Sequence, residues 1–420
     1  MKDTVERFLE YISFDTQSVE DSQTVPSTAK QFKLAEFLKN ELLELGLTEV
    51  TLTDKCYLYA HIPASAGYEK IPSLGFIAHL DTSEAVSGAG ITPQIIRNWD
   101  GTPIPLGESG LILTPLAELK GDTIITTDGT TLLGADDKAG IAIIMSTLER
   151  LLAEKRPHGA LSICFTPDEE IGRGADFFAP GVFKAAFAYT VDGGPAELIQ
   201  RENFNAASAR ILFRGLSAHP GSAKDLMINA QKVAMEFDAM LPPLETPSHT
   251  EGREGFYHLI SSSGNVSCAE LNYILRDFES SGLERRQKVL LDAAEILNKK
   301  YGSGTVTVTL KESYRNMAEV IDRFPFLMEK ACKAISDAGL VPSLSPIRGG
   351  TDGARLCFMG LPCPNLGYGG YMPHSETEHV SAEKMRLVEK ILLNIVHSFV
   401  SEPPSLSENR SCLPENQTSS

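Results

Sequence analysis

Cys164-Phe165-Thr166-Pro167-Asp168-Glu169-Glu170-Ile171-Gly172 carries an apolar stretch straight into three consecutive carboxylates. Four other segments repeat that move, two of them with a histidine. They are Gly75-Phe76-Ile77-Ala78-His79-Leu80-Asp81, Leu133-Gly134-Ala135-Asp136-Asp137-Lys138, Tyr189-Thr190-Val191-Asp192-Gly193-Gly194 and Met372-Pro373-His374-Ser375. Burying such groups unpaired is costly, so several of them at the ends of apolar runs imply a shared counter-charge. For two imidazoles and at least three carboxylates, the natural counter-charge is a pair of divalent metal ions, which points to a hydrolase.

The apolar runs at 73–78, 123–127, 161–165 and 187–191 alternate with helical patterns such as 139–153. That alternation predicts an α/β domain with a mixed or mainly parallel sheet. Ligands of such sheets sit outside the carboxyl ends of the strands, where four of the five segments are expected to place their polar residues. Ser27 reads as the N-cap of a helix carrying Leu34, Phe37, Leu38, Leu42 and Leu45, with Gly46 as its stop. The Gly- and Pro-rich stretch 82–120, which holds Trp99, reads as an excursion from the sheet.

From Asn205 onward the pattern becomes strand, helix, two strands, helix and strand, at 209–213, 223–240, 256–261, 269–278, 284–300 and 304–310. This β-α-β-β-α-β order predicts an inserted ferredoxin-like α+β domain over 205–317. The catalytic domain is then discontinuous, over 1–204 and 318–400, and residues 401–420 read as a disordered tail.

The chain has 38 basic and 55 acidic residues, a formal charge of −17. That balance argues against nucleic-acid and anionic-membrane partners, which call for basic patches. Seven scattered cysteines with no Cys-x-x-Cys pair read as reduced thiols. The first residues open into an amphipathic helix with Val5, Phe8, Leu9 and Ile12 on one face, without the apolar core of a signal peptide. No run approaches about 18 uninterrupted apolar residues. The expected location is cytoplasmic.

His79, Asp136, Glu170, Asp192 and His374 can be divided between two metals, each taking one histidine, one terminal carboxylate and one oxygen of a shared carboxylate. Asp136 is the best bridge, because it precedes the Asp137-Lys138-Ala139-Gly140 turn into a helix. Two zinc ions about 3.5–4 Å apart can acidify one water between them. Asp81 is placed to hydrogen-bond the His79 imidazole and hold its orientation. Glu169, beside Glu170, is placed as general base and then as acid to the leaving amine. His379 is expected beside the site or at the surface, and His61, His158, His249, His258 and His397 read as structural.

At these segments the chain resembles the di-zinc M20 metallopeptidases. Further stretches are similar to the tripeptide aminopeptidases within that family: Ile125-Thr126-Thr127-Asp128-Gly129, Gly215-Leu216-Ser217-Ala218-His219-Pro220-Gly221, Tyr273-Ile274-Leu275-Arg276-Asp277-Phe278, Pro346-Ile347-Arg348-Gly349-Gly350-Thr351-Asp352-Gly353 and Leu361-Pro362-Cys363-Pro364-Asn365-Leu366. The family pattern of His, three residues, then Glu fits His374 and Glu378. The resemblance implies a cytoplasmic enzyme with two zinc ions per subunit, removing the N-terminal residue of short peptides, foremost tripeptides, by a hydroxide bridging the metals. It also implies His219 as a donor to the oxyanion, Arg276 and Arg348 as clamps for the peptide carboxylate, and a lid/dimerisation role for the inserted domain in a homodimer. Dipeptidases and N-acyl-amino-acid deacylases of the same superfamily use the same ligands and form the alternative.

Overall fold

The computed structural model describes residues 1–404, so of the tail predicted over 401–420 the part 405–420 lies outside the described residues. The last helix, Ala382–Ser401, runs one residue into the stretch read as tail. The chain divides into two compact units. One comprises 1–201, 317–345 and the residues from 351 onward, and the other 202–316 and 346–350.

The first unit is built on an eight-stranded mixed sheet. Its order is Glu49–Leu52, Leu58–Ile62, Leu161–Thr166, Leu74–His79, Phe187–Val191, Asn365–Leu366, Leu198–Gln200 and Ser343–Leu344. Leu161–Thr166, Leu74–His79 and Phe187–Val191 are buried at every residue, which is why they read as continuous apolar runs rather than alternating ones. These three run parallel, with Ile77 beside both Cys164 and Thr190, and His79 beside Thr166. That register delivers His79, the turn after Thr166 and Asp192 to one end of the sheet. Ile124–Thr127 belongs instead to a separate antiparallel sheet with Gly370–Tyr371, His379–Ser381 and Pro93–Ile96. Three of the five chemistry-bearing segments therefore end strands of the main sheet, not four. The stretch 82–120 forms its own small core of Trp99, Ile104, Leu106, Leu113 and Leu119 with Ile124 and Tyr371.

The helix Ala135–Ala153 is interrupted at its start, where Asp136 has ψ 103° and the Asp136–Asp137 peptide is cis. Gly140 lets this helix meet the sheet. A Cβ there would stand 2.2 Å from both the Asp137 Oδ1 and the Val191 carbonyl oxygen. The helix Gln31–Glu44 begins four residues after Ser27 and has no side-chain cap. Ser27 is engaged elsewhere, so its reading as an N-cap is corrected.

The second unit has the element order strand, helix, two strands, helix, strand. Its antiparallel sheet runs Phe256–Gly264, Cys268–Asp277, Asn205–Arg214 and Val306–Tyr314, with the helices Ala230–Asp238 and Ser280–Tyr301. Burial alternates along Cys268–Asp277, and its inward residues Leu271, Tyr273 and Leu275 pack with Val233, Phe237, Leu290 and Leu297.

Candidate metal centre

His79 is the last residue of its strand and is almost wholly buried. Its ring Nδ1 lies 3.0 Å from the Asp81 carbonyl oxygen, while Nε2 lies 3.0 Å from Asp136 Oδ1 and 3.5 Å from Asp192 Oδ1. A proton on Nδ1, donated to that carbonyl, leaves the Nε2 lone pair aimed at the two carboxylates. His374 sits in a left-handed turn, φ 60°, with Nε2 2.8 Å from Glu170 Oε2 and 3.4 Å from Asp136 Oδ2. The five residues thus fall into two sets, His79 with Asp192 and His374 with Glu170. Asp136 gives one oxygen to each.

Bonds of about 2.0–2.1 Å in a tetrahedron would separate two ligand atoms by about 3.3 Å. The observed 2.8–3.5 Å spread brackets that spacing. Glu170 Oε1 is buried without a hydrogen-bond partner, an arrangement that fits a cation and not a hydrogen-bonded core. His79, Asp137 and Asp192 also bring donor atoms within 4.8 Å of one another. Asp137 is the weaker bridge. Its Oδ2 accepts the His79 main-chain N–H at 3.2 Å and it meets no second imidazole.

The electrostatics follow the same division. Burial pushes Asp192 up to about 7, and the Asp136 carboxylate adds to it. Burial and Asp136 raise Glu170 to about 7 as well. Burial alone would raise Asp136, but hydrogen bonds from His374 and His79 hold it below the usual carboxylate range. Contact with Asp136 and Glu170 pushes His374 up to about 11. Packing Asp136, Asp137, Glu170 and Asp192 around two imidazoles leaves surplus negative charge, which is what a divalent cation neutralises.

Glu169 and Glu170 form a short 3-10 turn with Ile171. The turn is fixed by Asp81, whose Oδ1 accepts the Glu169 N–H at 3.0 Å and whose Oδ2 accepts the Glu170 N–H at 3.2 Å. The same carboxylate stays beside the His79 ring. The imidazole meets the Asp81 main-chain oxygen at 3.0 Å and Oδ1 at 3.4 Å, while the carboxylate also holds the Glu169–Glu170 turn. The Glu169 side chain makes no hydrogen bond or ion pair among the described residues. Burial, then the Asp192 charge, raises it well above an ordinary glutamate.

Glu378 closes the centre from behind. Its buried carboxylate accepts N–H groups of Leu133 at 2.7 Å, Gly134 at 2.8 Å and Asp136 at 3.0 Å. It ties the segment bearing His374 to the turn bearing Asp136. His379 is buried, stacks on Tyr371 and places Nδ1 2.9 Å from the Thr377 carbonyl oxygen, so a surface position is ruled out. Composition alone gave no signal for the anchors Asp137, Asp168 and Asp352. Asp352 is buried and accepts the Thr166 hydroxyl at 2.8 Å.

The remaining candidates lie in the second unit. His219 is exposed, and its Nδ1 accepts the Gly221 N–H at 3.2 Å. Arg276 lies 5.2 Å over the Tyr314 ring and donates from Nη1 to the Leu275 carbonyl, with no carboxylate paired to it among the described residues. Arg348 is committed otherwise. Its Nη1 donates to the Gly252 and Glu254 carbonyls and its Nη2 to the carbonyl and hydroxyl of Thr250, while its guanidinium lies over Phe204.

A family model for peptidase family M20/M25/M40 matches residues 127–398. A peptidase T of Clostridium acetobutylicum is 47% identical over 408 residues, covering 95% of this chain and 99% of that protein. A peptidase T of Vibrio cholerae is 47% identical over 401 residues, covering 94% and 98%. Among solved structures, an aminopeptidase PepT of Bacillus cereus superposes with a TM-score of 0.76 at 22% identity, over 94% of this chain and 98% of that one.

Proposed function

The chain belongs to peptidase family M20/M25/M40, and from that premise we propose that it is a metal-dependent aminopeptidase of the peptidase T type, releasing the N-terminal residue of tripeptides. The observation that carries this reading is the acid–imidazole cluster, two sets sharing Asp136 beside Glu169, whose side chain has no hydrogen-bond partner among the described residues. The near full-length identity to proteins named peptidase T supports the tripeptide as substrate. Zinc is the metal we propose, because His nitrogen and carboxylate oxygen in small coordination sets suit it. His79, Asp136 and Asp192 would hold one ion and His374, Asp136 and Glu170 the other.

A bound pair of divalent cations supplies an acidified water and polarisation of the scissile carbonyl. The chain's own residues do the rest. Glu169 takes the proton of the attacking water and delivers it to the departing amine nitrogen, a transfer its free carboxylate suits. Asp81 keeps that carboxylate in place through the two turn amides. The family resemblance adds His219 as a donor to the developing oxyanion, where losing one donor costs about 100- to 1,000-fold in rate. It also adds a homodimer and a cytoplasmic location. Among the described residues no helix is long and apolar enough to cross a membrane.

The test is release of a free N-terminal amino acid from unblocked di-, tri- and tetrapeptides, with and without a chelator. Tripeptide cleavage abolished by chelation and restored by zinc is expected. Cleavage confined to dipeptides or N-acylated amino acids would keep the metal centre and remove the tripeptide assignment.

The two arginines separate by their surroundings. Arg276→Ala should raise KM for tripeptides about tenfold or more with kcat little changed, as loss of a charge-assisted hydrogen bond of roughly 1.5–3 kcal/mol requires. Arg348→Ala strands the carbonyls of 250–254 and should instead lower the melting temperature. A KM effect seen only with Arg348 would reverse the assignment.

A further inference from the structure

Asp168 stands immediately before the catalytic turn, and nothing in the chemistry above uses it. It is fully buried and left-handed, φ 57° and ψ 27°. Its carboxylate accepts the Ser27 main-chain N–H at 2.7 Å, the Ser27 hydroxyl at 2.6 Å and the Gln31 side-chain amide at 2.7 Å. The Gln31 side-chain oxygen Oε1 in turn accepts the Asp168 main-chain N–H at 3.3 Å. Gln31 thus grips both the side chain and the main chain of the residue preceding Glu169.

These contacts belong to a wider pattern. The irregular segment between the first two helices also receives Lys138 Nζ on the Phe14 carbonyl at 2.7 Å and the Arg173 guanidinium on the Ser22 carbonyl at 2.7 Å. Ser18 N–H donates to the Thr82 carbonyl at 3.1 Å, and Gln17 Nε2 donates to the Ser83 carbonyl at 3.1 Å. One segment therefore touches the chain just after Asp81, just after Asp137, and on both sides of Glu169 and Glu170.

We propose that Ser27 and Gln31 are positioning residues that act through Asp168 to fix the Glu169 carboxylate, so that the N-terminal segment sets the geometry of the general base. Asp81 restrains the two turn amides from one side, and the Ser27–Gln31–Asp168 clamp restrains the entry to the turn from the other. With the clamp released, Asp81 still holds both turn amides, but the backbone entering the turn at residue 168 gains freedom and the Glu169 carboxylate shifts with it. A displacement near 1 Å at a reacting group costs about 100-fold in rate. Binding of the peptide, which does not depend on the base, is spared.

The inference rests on the peptidase reading for its kinetic arm only. Asp168→Asn is the informative variant, since Asn tolerates the left-handed conformation while one of the two accepting oxygens becomes an NH2 that faces a Ser27 or Gln31 donor. Gln31→Met is the milder companion, matching the side chain's length without its amide. In the zinc-loaded enzyme acting on trialanine, both should lower kcat 10- to 100-fold with KM within about threefold of wild type and two metals retained. The double variant should be no slower than Asp168→Asn alone. Amide exchange over 166–173 should rise at least about tenfold in both variants while the rest of the chain keeps its wild-type pattern. Unchanged exchange in that peptide overturns the inference whatever the substrate proves to be. So does unchanged kcat, or a loss carried by KM or by metal content. If wild type cleaves no tripeptide, the functional reading falls, and exchange alone decides the clamp.

Discussion

Glu169→Gln should retain two metal ions per chain and the wild-type fold while losing about 1,000-fold or more in kcat on a tripeptide. A positioned acid or base contributes about 100- to 10,000-fold, and one carboxylate here serves two transfers, from the water and to the amine. A thousandfold is about 4 kcal/mol of barrier. The fold should be indifferent because the Glu169 side chain has no hydrogen-bond partner to lose among the described residues, while the turn itself is held through its main-chain N–H groups by Asp81. Glutamine keeps the volume and cannot take up the proton. KM should move little, since substrate binding does not call on the base. Metal analysis beside steady-state kinetics checks this. A variant within tenfold of wild type would remove Glu169 from the reaction, and one that had lost metal would make it a ligand.

The separation of Glu169 from Glu170 was legible in the sequence only as a possibility, because adjacent acids are equivalent on paper. The structure distinguishes them by what each side chain meets: Glu170 Oε2 lies 2.8 Å from His374, and the Glu169 side chain meets no hydrogen-bond partner among the described residues. Where a candidate residue ends an apolar run of the main sheet, as His79 and Asp192 do, composition and burial cost are enough to single it out. Asp136 and His374 were recognisable by residue type, but their placement depends on a broken helix start and a left-handed turn that no periodicity encodes. Glu378 belongs to the same class. Three N–H groups more than 240 residues away converge on it.

Ser27 shows why local rules fail near a site. A serine ahead of a helical pattern reads as an N-cap, yet its hydroxyl meets a carboxylate 141 residues distant and the helix starts uncapped at Gln31. A charged acceptor in a dry interior is the stronger partner. In the second unit local rules failed for the opposite reason. Apolar spacing predicts a helix from 223, whereas Asn229 accepts the N–H groups of Gln231 and Lys232 and starts the helix Ala230–Asp238 there.

Asp136→Ala should abolish binding of both metals, whereas His374→Ala should release one. The difference follows from the geometry: Asp136 presents Oδ1 to the His79 set and Oδ2 to the His374 set. Its loss reduces each set to one imidazole and one carboxylate. Disturbing a residue that only orients a ligand already costs about 10- to 100-fold in metal affinity, so removing a donor from both sets should cost more. Turnover should fall with it, by about 1,000-fold or more, or about 4 kcal/mol of barrier. Misfolding would imitate that result, and the metal-free protein separates the two. The Asp136 charge raises both Asp192 and Glu170, so removing it relieves repulsion among buried acids. The main-chain N–H of residue 136 still reaches Glu378. Against that relief stands the loss of the His79 and His374 contacts that keep Asp136 ionised, so metal-free Asp136→Ala should still melt in one cooperative transition, near or somewhat below metal-free wild type. Wild type, by contrast, gains about 2.7 kcal/mol when zinc is present at a hundred times its Kd, and the variant should gain nothing. A variant that kept a zinc-dependent rise in melting temperature, with two metals bound, would show that the shared carboxylate is another residue. Asp137, with one oxygen buried and unpartnered behind His79, is the residue it would point to.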